Sequence, residues 1–108
     1  EVIVYKISLM YNNLTGTIPA EIGYLNDLSL LYLQFNNITG TLPSSIGNLN
    51  QLQMLYLTMN QLSGTIPLSF LAMENLRFAH TNITGYNVLC PLAKDHWLTR
   101  LQRNCDHN

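Results

Sequence analysis

The residues able to do chemistry in this chain are few. Cys90 and Cys105 are its only cysteines. In an oxidising compartment such a pair forms one disulfide, stabilising by roughly 3 kcal/mol in a chain-entropy model. As one continuous helix, residues 90–105 would hold their ends ~22 Å apart, whereas bridged α-carbons lie within ~7 Å. A bridge therefore demands a short helix and a chain that doubles back. Cys90, His96, Cys105 and His107 also offer nitrogen and sulfur ligands for zinc, but C-x5-H-x8-C-x-H fits no usual metal spacing. Buried free thiols are the third reading. Asn13-Leu-Thr15, Asn37-Ile-Thr39 and Asn82-Ile-Thr84 are acceptor sequences for N-linked glycans. Catalysis finds little support. The histidines fall at or near the C-terminal segment, and Glu21, Asp27 and Glu74 are scattered. No glycine cluster suits a phosphate loop, so no cofactor or metal site is expected.

The elements that must position these residues come from an internal repeat. Leu14-Thr-Gly-Thr-Ile-Pro-Ala-Glu-Ile-Gly aligns with Ile38-Thr-Gly-Thr-Leu-Pro-Ser-Ser-Ile-Gly at an offset of 24, and Leu62-Ser-Gly-Thr-Ile-Pro-Leu-Ser-Phe follows at the same offset. That spacing also links Asn12, Asn36 and Asn60; Gly16, Gly40 and Gly64; and Pro19, Pro43 and Pro67. Val4-x-x-Ile7-x-Leu9, Leu28-x-x-Leu31-x-Leu33 and Leu52-x-x-Leu55-x-Leu57 fall into register with them. One such unit cannot bury its apolar edge alone, so the units must stack. Short parallel strands ~4.8 Å apart are the expected result. The asparagines leave each strand where a side-chain amide can satisfy backbone groups of the turn. The glycines suit a backbone closed to a β-carbon, and the prolines fix φ. Ile22, Ile46, Leu25 and Leu49 close the core from the opposite wall.

The unit L-x-x-L-x-L-x-x-N-x-L-x-G-x-I-P-x-x-I-G-x-L resembles the plant-type extracellular leucine-rich repeat over nearly all of residues 2–85. The resemblance implies a solenoid with a short parallel β-sheet on the concave side, an irregular or 3-10 convex side, and a small helical C-terminal cap. It implies a recognition or scaffold role and no enzyme activity. Residues 1–85 form the repeats on this reading, three full units and a shortened fourth. Leu76 to Gly85 is three residues shorter than Leu52 to Gly64, and Ala79 and Thr81 stand in place of core leucines. After Gly85 the composition shifts: seven residues from Lys94 to His107 are Lys, Arg, Asp or His. Trp97, Leu98 and Leu101 have helical spacing, with Pro91 near a start. Residues 86–108 are read as the cap.

Members of that family usually carry a cysteine-paired cap before the first strand. Here Glu1-Val-Ile-Val leads straight into the first repeat, and no basic segment precedes an apolar stretch, so no signal peptide is visible. Val4, Ile7, Leu9, Leu14 and Ile18 are then expected to have nothing above them. A fragment, a stacked copy, or a second polypeptide would each explain such an open end.

The chain has 108 residues, a net charge of −1, 10% charged and 47% hydrophobic residues. Near-neutrality argues against nucleic acid, and no apolar run reaches the ~20 residues of a membrane span. The surface left for partners is the strand face: Tyr5, Ser8, Met10 and Tyr11 in repeat one, Tyr32, Gln34 and Phe35 in repeat two, Met54, Tyr56, Thr58 and Met59 in repeat three. Alternation places Ser8, Tyr32 and Tyr56 in one outward column, beside Tyr11/Phe35/Met59 and Lys6/Leu30/Met54. Tyr and Met are residues that interfaces favour. The expected protein is a secreted, glycosylated module that binds a protein or peptide on this face. End-to-end self-assembly through the N-terminal face is the alternative. The hydroxyl columns Thr15/Thr39/Ser63 and Thr17/Thr41/Thr65 raise an ice- or glycan-binding surface as a third reading, against ordinary repeat consensus.

Overall fold

The computed structural model describes residues 2–80. Asn82, Cys90, His96, Cys105, His107 and the expected cap over 86–108 lie outside the described residues. Each repeat enters the concave sheet with a three-residue strand: β1 Lys6–Ser8, β2 Leu30–Tyr32, β4 Met54–Tyr56 and β6 Phe78–His80. All pair in parallel in the order β1-β2-β4-β6. The register is the sequence repeat: Ile7 opposite Leu31, Leu31 opposite Leu55, Leu55 opposite Ala79. The pleat turns that column inward, and Leu31 and Leu55 are fully buried. A slip by one residue would expose every core leucine at once, so burial fixes the register.

On the convex side each coil runs through a 3-10 helix: η1 Ala20–Tyr24, η2 Ser44–Asn48 and η3 Leu68–Ala72. Pro19, Pro43 and Pro67 precede them with φ of −73°, −70° and −61°. The ring presets that angle and forfeits an N–H the helix start does not use. Pro19, Pro43 and Pro67 carbonyls accept the first helical bond from Ile22, Ile46 and Phe70 N–H.

Gly23 and Gly47 let adjacent 3-10 helices approach. A β-carbon on Gly23 would lie 2.7 Å from the Ser45 carbonyl, and one on Gly47 would lie 2.6 Å from that of Ser69. At this contact Ser45 Oγ donates to the Ala20 carbonyl and Ser69 Oγ to the Ser44 carbonyl, each at 2.6 Å. Between strand and 3-10 helix runs a second parallel pair, β3 Thr39–Thr41 with β5 Gln61–Ser63. Its register is Thr39 with Gln61 and Thr41 with Ser63, an offset of 22. The hydroxyl columns are therefore staggered across this sheet. Thr39 Oγ1 and Ser63 Oγ donate to the Gly16 and Gly40 carbonyls at 3.3 and 3.4 Å.

The core is one stripe of Leu28, Leu31, Ile46, Leu49, Leu52, Leu55, Leu57, Ile66, Phe70 and Met73, closed between strands and 3-10 helices. Ile46 and Leu49 are buried, while Ile22 and Leu25 pack against the core half-buried. The first coil is less covered. Val4 and Leu9 are exposed, and Ile7 and Leu14 are half-buried. Ile18, expected at the same end, is buried within the core cluster.

Candidate functional site: the strand face

The asparagine ladder sets where the strand face ends. Asn36 is buried. Its Oδ1 accepts from the backbone N–H groups of Asn12 and Leu14 at 3.0 and 2.9 Å, and its Nδ2 donates to the Leu9 and Leu33 carbonyls at 3.0 Å. Asn60 repeats the pattern one coil on, accepting from Ile38 N–H and donating to the Leu33 and Leu57 carbonyls. Asn12 is exposed, and its amide donates to the Met10 carbonyl at 3.1 Å.

At each turn of the ladder the residue before the asparagine takes a left-handed backbone, which carries Asn36 and Asn60 inward while Asn12 stays exposed. Tyr11, Phe35 and Met59 have φ of 61°, 61° and 58°. Such a conformation costs about 1–2 kcal/mol for a residue with a β-carbon. It turns three bulky side chains out at the edge of the sheet: Tyr11, Phe35 and Met59 are 69%, 40% and 55% exposed. Tyr11 and Phe35 stack with ring centroids 4.4 Å apart and planes 8° from parallel. This column lies in solvent rather than under its own repeat. The sequence places these residues on the face, but nothing in it marks their left-handed backbone, since glycine and asparagine are the usual residues at positive φ.

The outward column Ser8, Tyr32 and Tyr56 is in strand register. The Tyr32 and Tyr56 rings stack at 5.1 Å and 18°, a spacing imposed by adjacent strands. Such a pair adds about 0.5–1.5 kcal/mol beyond burial. Lys6 Nζ stands 5.7 Å from the Tyr32 ring centroid, within reach of a cation–π interaction. Tyr32 Oη donates to Met54 Sδ at 3.1 Å, and Gln34 Nε2 points at Met10 Sδ at 3.8 Å. Gln34 Oε1 is buried without a hydrogen-bond partner. Met10, Gln34 and Thr58 are half-buried between the two columns, and Tyr5 is exposed at the strand entry. No carboxylate occupies the face from 5–11, 29–35 or 53–59.

Asn13 and Asn37 are exposed just beyond the left-handed column. Asn13 itself has a φ of 54°, and Asn37 N–H donates to the Leu14 carbonyl at 2.8 Å. At the other edge, the first coil opens a hollow of about 220 Å³ lined by Ile7, Leu9, Leu14, Ile18, Leu31 and Leu33 among others. Among the described residues no cluster of His, Cys, Asp and Glu could hold a metal ion, and no helix is long and apolar enough to cross a membrane.

A family model described as "Leucine rich repeat" matches residues 4–62. No curated protein matches the chain. Solved structures do. The ectodomain of the receptor kinase GASSHO1/SCHENGEN3 from Arabidopsis thaliana is 41% identical over 72% of this chain and 10% of its own, with a TM-score of 0.67. The plant peptide hormone receptor RGFR1, solved with RGF2, is 40% identical over 75% of this chain and 14% of its own, with a TM-score of 0.70. The BIR2 ectodomain from Arabidopsis thaliana is 33% identical over 75% of this chain and 44% of its own, with a TM-score of 0.69. The chain thus spans between a tenth and under a half of these relatives. The 24-residue register, the asparagine ladder and these matches make the chain a member of the leucine-rich-repeat family, of the plant extracellular type.

Proposed function

We propose that this chain is a non-enzymatic, secreted leucine-rich-repeat glycoprotein module whose strand face contacts a protein or peptide. The observation that carries the reading is the stacked Tyr32–Tyr56 pair on a face without carboxylates. Aromatic side chains held rigid in the free protein lose little freedom on binding, which is how a small surface gains affinity. Relatives solved with ligands support it: RGFR1 with RGF2, and HAESA with the peptide hormone IDA and the co-receptor SERK1. The test uses a library of linear peptides screened against the whole chain. Tyr32→Ala and Tyr56→Ala are each expected to weaken the selected peptides at least roughly tenfold, the scale of a moderate hot spot, with an unchanged far-UV circular dichroism spectrum. Retained affinity in both variants overturns the reading.

The apolar hollow of the first coil favours a second reading, in which copies stack end to end. We further propose glycans on Asn13 and Asn37, which are exposed, and on Asn82. One measurement addresses both points. Light scattering with intact mass spectrometry on material from a eukaryotic secretory host is expected to give a monomer carrying sugar on at least one of these asparagines. A multimer that dissociates on Leu14→Asp would instead support stacking, and bare asparagines would remove the glycoprotein assignment.

A further inference from the structure

The chain has four methionines. Met73 is fully buried in the core. Met10, Met54 and Met59 all lie on the strand face, and two of their sulfurs already face hydrogen-bond donors. Tyr32 Oη donates to Met54 Sδ at 3.1 Å, and Gln34 Nε2 stands 3.8 Å from Met10 Sδ. Met59 is 55% exposed, turned out by its left-handed backbone.

A thioether is a poor acceptor for such donors, whereas a sulfoxide oxygen is a strong one. We propose that Met10, Met54 and Met59 form a peroxide-responsive modification site, whose conversion to sulfoxide changes the strand face from an apolar to a hydrogen-bonding surface. The step is balanced with a peroxide as the oxidant. The thioether sulfur attacks one peroxide oxygen, the S–O bond forms as the O–O bond breaks, and the departing oxygen leaves as water. Sulfur loses two electrons and the peroxide gains them. The product is reversible by methionine sulfoxide reductases.

The donors decide why this face tolerates the change. A sulfoxide in a half-buried site needs a partner, because an unmatched buried polar oxygen is costly. Tyr32 Oη and Gln34 Nε2 are in place to supply one to Met54 and Met10. Gln34 Nε2 already stands 3.8 Å from Met10 Sδ, close enough to donate to an oxygen added there. The consequence for binding rests on the strand face being the partner surface. The modification itself does not.

The test treats the whole glycosylated chain with hydrogen peroxide and maps methionine oxidation by peptide mass spectrometry over time. Met59 is expected to convert fastest, then Met10 and Met54, with Met73 at least roughly tenfold slower than Met59, because susceptibility follows exposure. Far-UV circular dichroism should stay unchanged while tyrosine emission shifts, and Met54→Leu or Tyr32→Phe should each reduce that shift. Equal rates at Met73 and Met59, unfolding on conversion of Met54, or an emission shift that survives both substitutions would overturn the proposal. Peptide affinity retained in Tyr32→Ala and Tyr56→Ala would remove the partner reading and leave the oxidation order standing.

Discussion

Asn36→Ala is expected to lower the stability of the chain by about 3–5 kcal/mol, in the range that marks loss of a buried hydrogen-bond network. The magnitude follows from what the side chain holds. Its oxygen satisfies two backbone N–H groups and its amide two carbonyls, drawn from the first and second coils. Alanine leaves those groups facing a gap, at about 1–3 kcal/mol for each one that water cannot reach. Asn12 is exposed, so water recovers part of that loss at its end. For a domain of this size each kilocalorie moves the melting temperature by about 4–8 °C, so the expected fall is roughly 12–40 °C. Asn12→Ala removes one exposed bond to Met10 and should cost about 0.5 kcal/mol. Asn36→Asp is the sharper variant. It keeps the shape but points a carboxylate oxygen at the Leu9 and Leu33 carbonyls, which disfavours the charged form and raises its pKa. Its folded state therefore binds a proton more readily than its unfolded state, and its stability should improve as pH falls. Urea and thermal unfolding at two pH values check all three. An Asn36→Ala loss near that of Asn12→Ala would show that the ladder is not what holds the coils.

How far the sequence carries the structure can be argued at the same residues. The spacing Leu28-x-x-Leu31-x-Leu33 fixes both strand and register, because only one alignment of repeats buries all three leucines. Asn36 and Pro43 were legible for the same reason: a turn needs its backbone groups satisfied and its φ preset, and few residue types do either. The strand-face columns follow from alternation alone. The left-handed backbone at Tyr11, Phe35 and Met59 does not, since residue type argues against it and the turn that follows each strand requires it. That hidden choice exposes the column. The convex pair β3–β5 was also invisible, because its offset of 22 departs from the repeat. Contacts such as Tyr32 Oη to Met54 Sδ depend on rotamers, which periodicity does not encode.

Gly47→Ala should destabilise by about 1–3 kcal/mol, the cost of overpacking a well-filled contact, although the change alone is conservative. The Gly47 φ is not positive, so alanine there meets no backbone strain, and fewer unfolded conformations would by themselves stabilise by about 0.4–1 kcal/mol. The sign is decided by space. The new β-carbon would stand 2.6 Å from the Ser69 carbonyl, which is backbone and cannot swing aside. Relief requires η3 to move off η2, breaking the bond from Ser69 Oγ to the Ser44 carbonyl and loosening Phe70 and Leu49 beneath it. Gly16→Ala is the control with the opposite cause. Nothing lies within 4 Å of its β-carbon, but its φ is 87°, so the expected loss is about 1–2 kcal/mol from backbone conformation alone. In a double-mutant cycle, Gly47→Ala with Ser69→Gly should recover part of the loss, because the serine β-carbon and hydroxyl go while the carbonyl stays. Solenoid curvature follows from the rotation at each repeat, and Gly47 sits at the junction that also stacks Tyr32 on Tyr56. Spreading the convex side there closes the strand side. Gly47→Ala should therefore alter tyrosine emission from a residue that touches neither ring, whereas Gly16→Ala should leave it unchanged. An unaltered emission in a destabilised Gly47→Ala chain would mean that the two faces of the coil are mechanically separate.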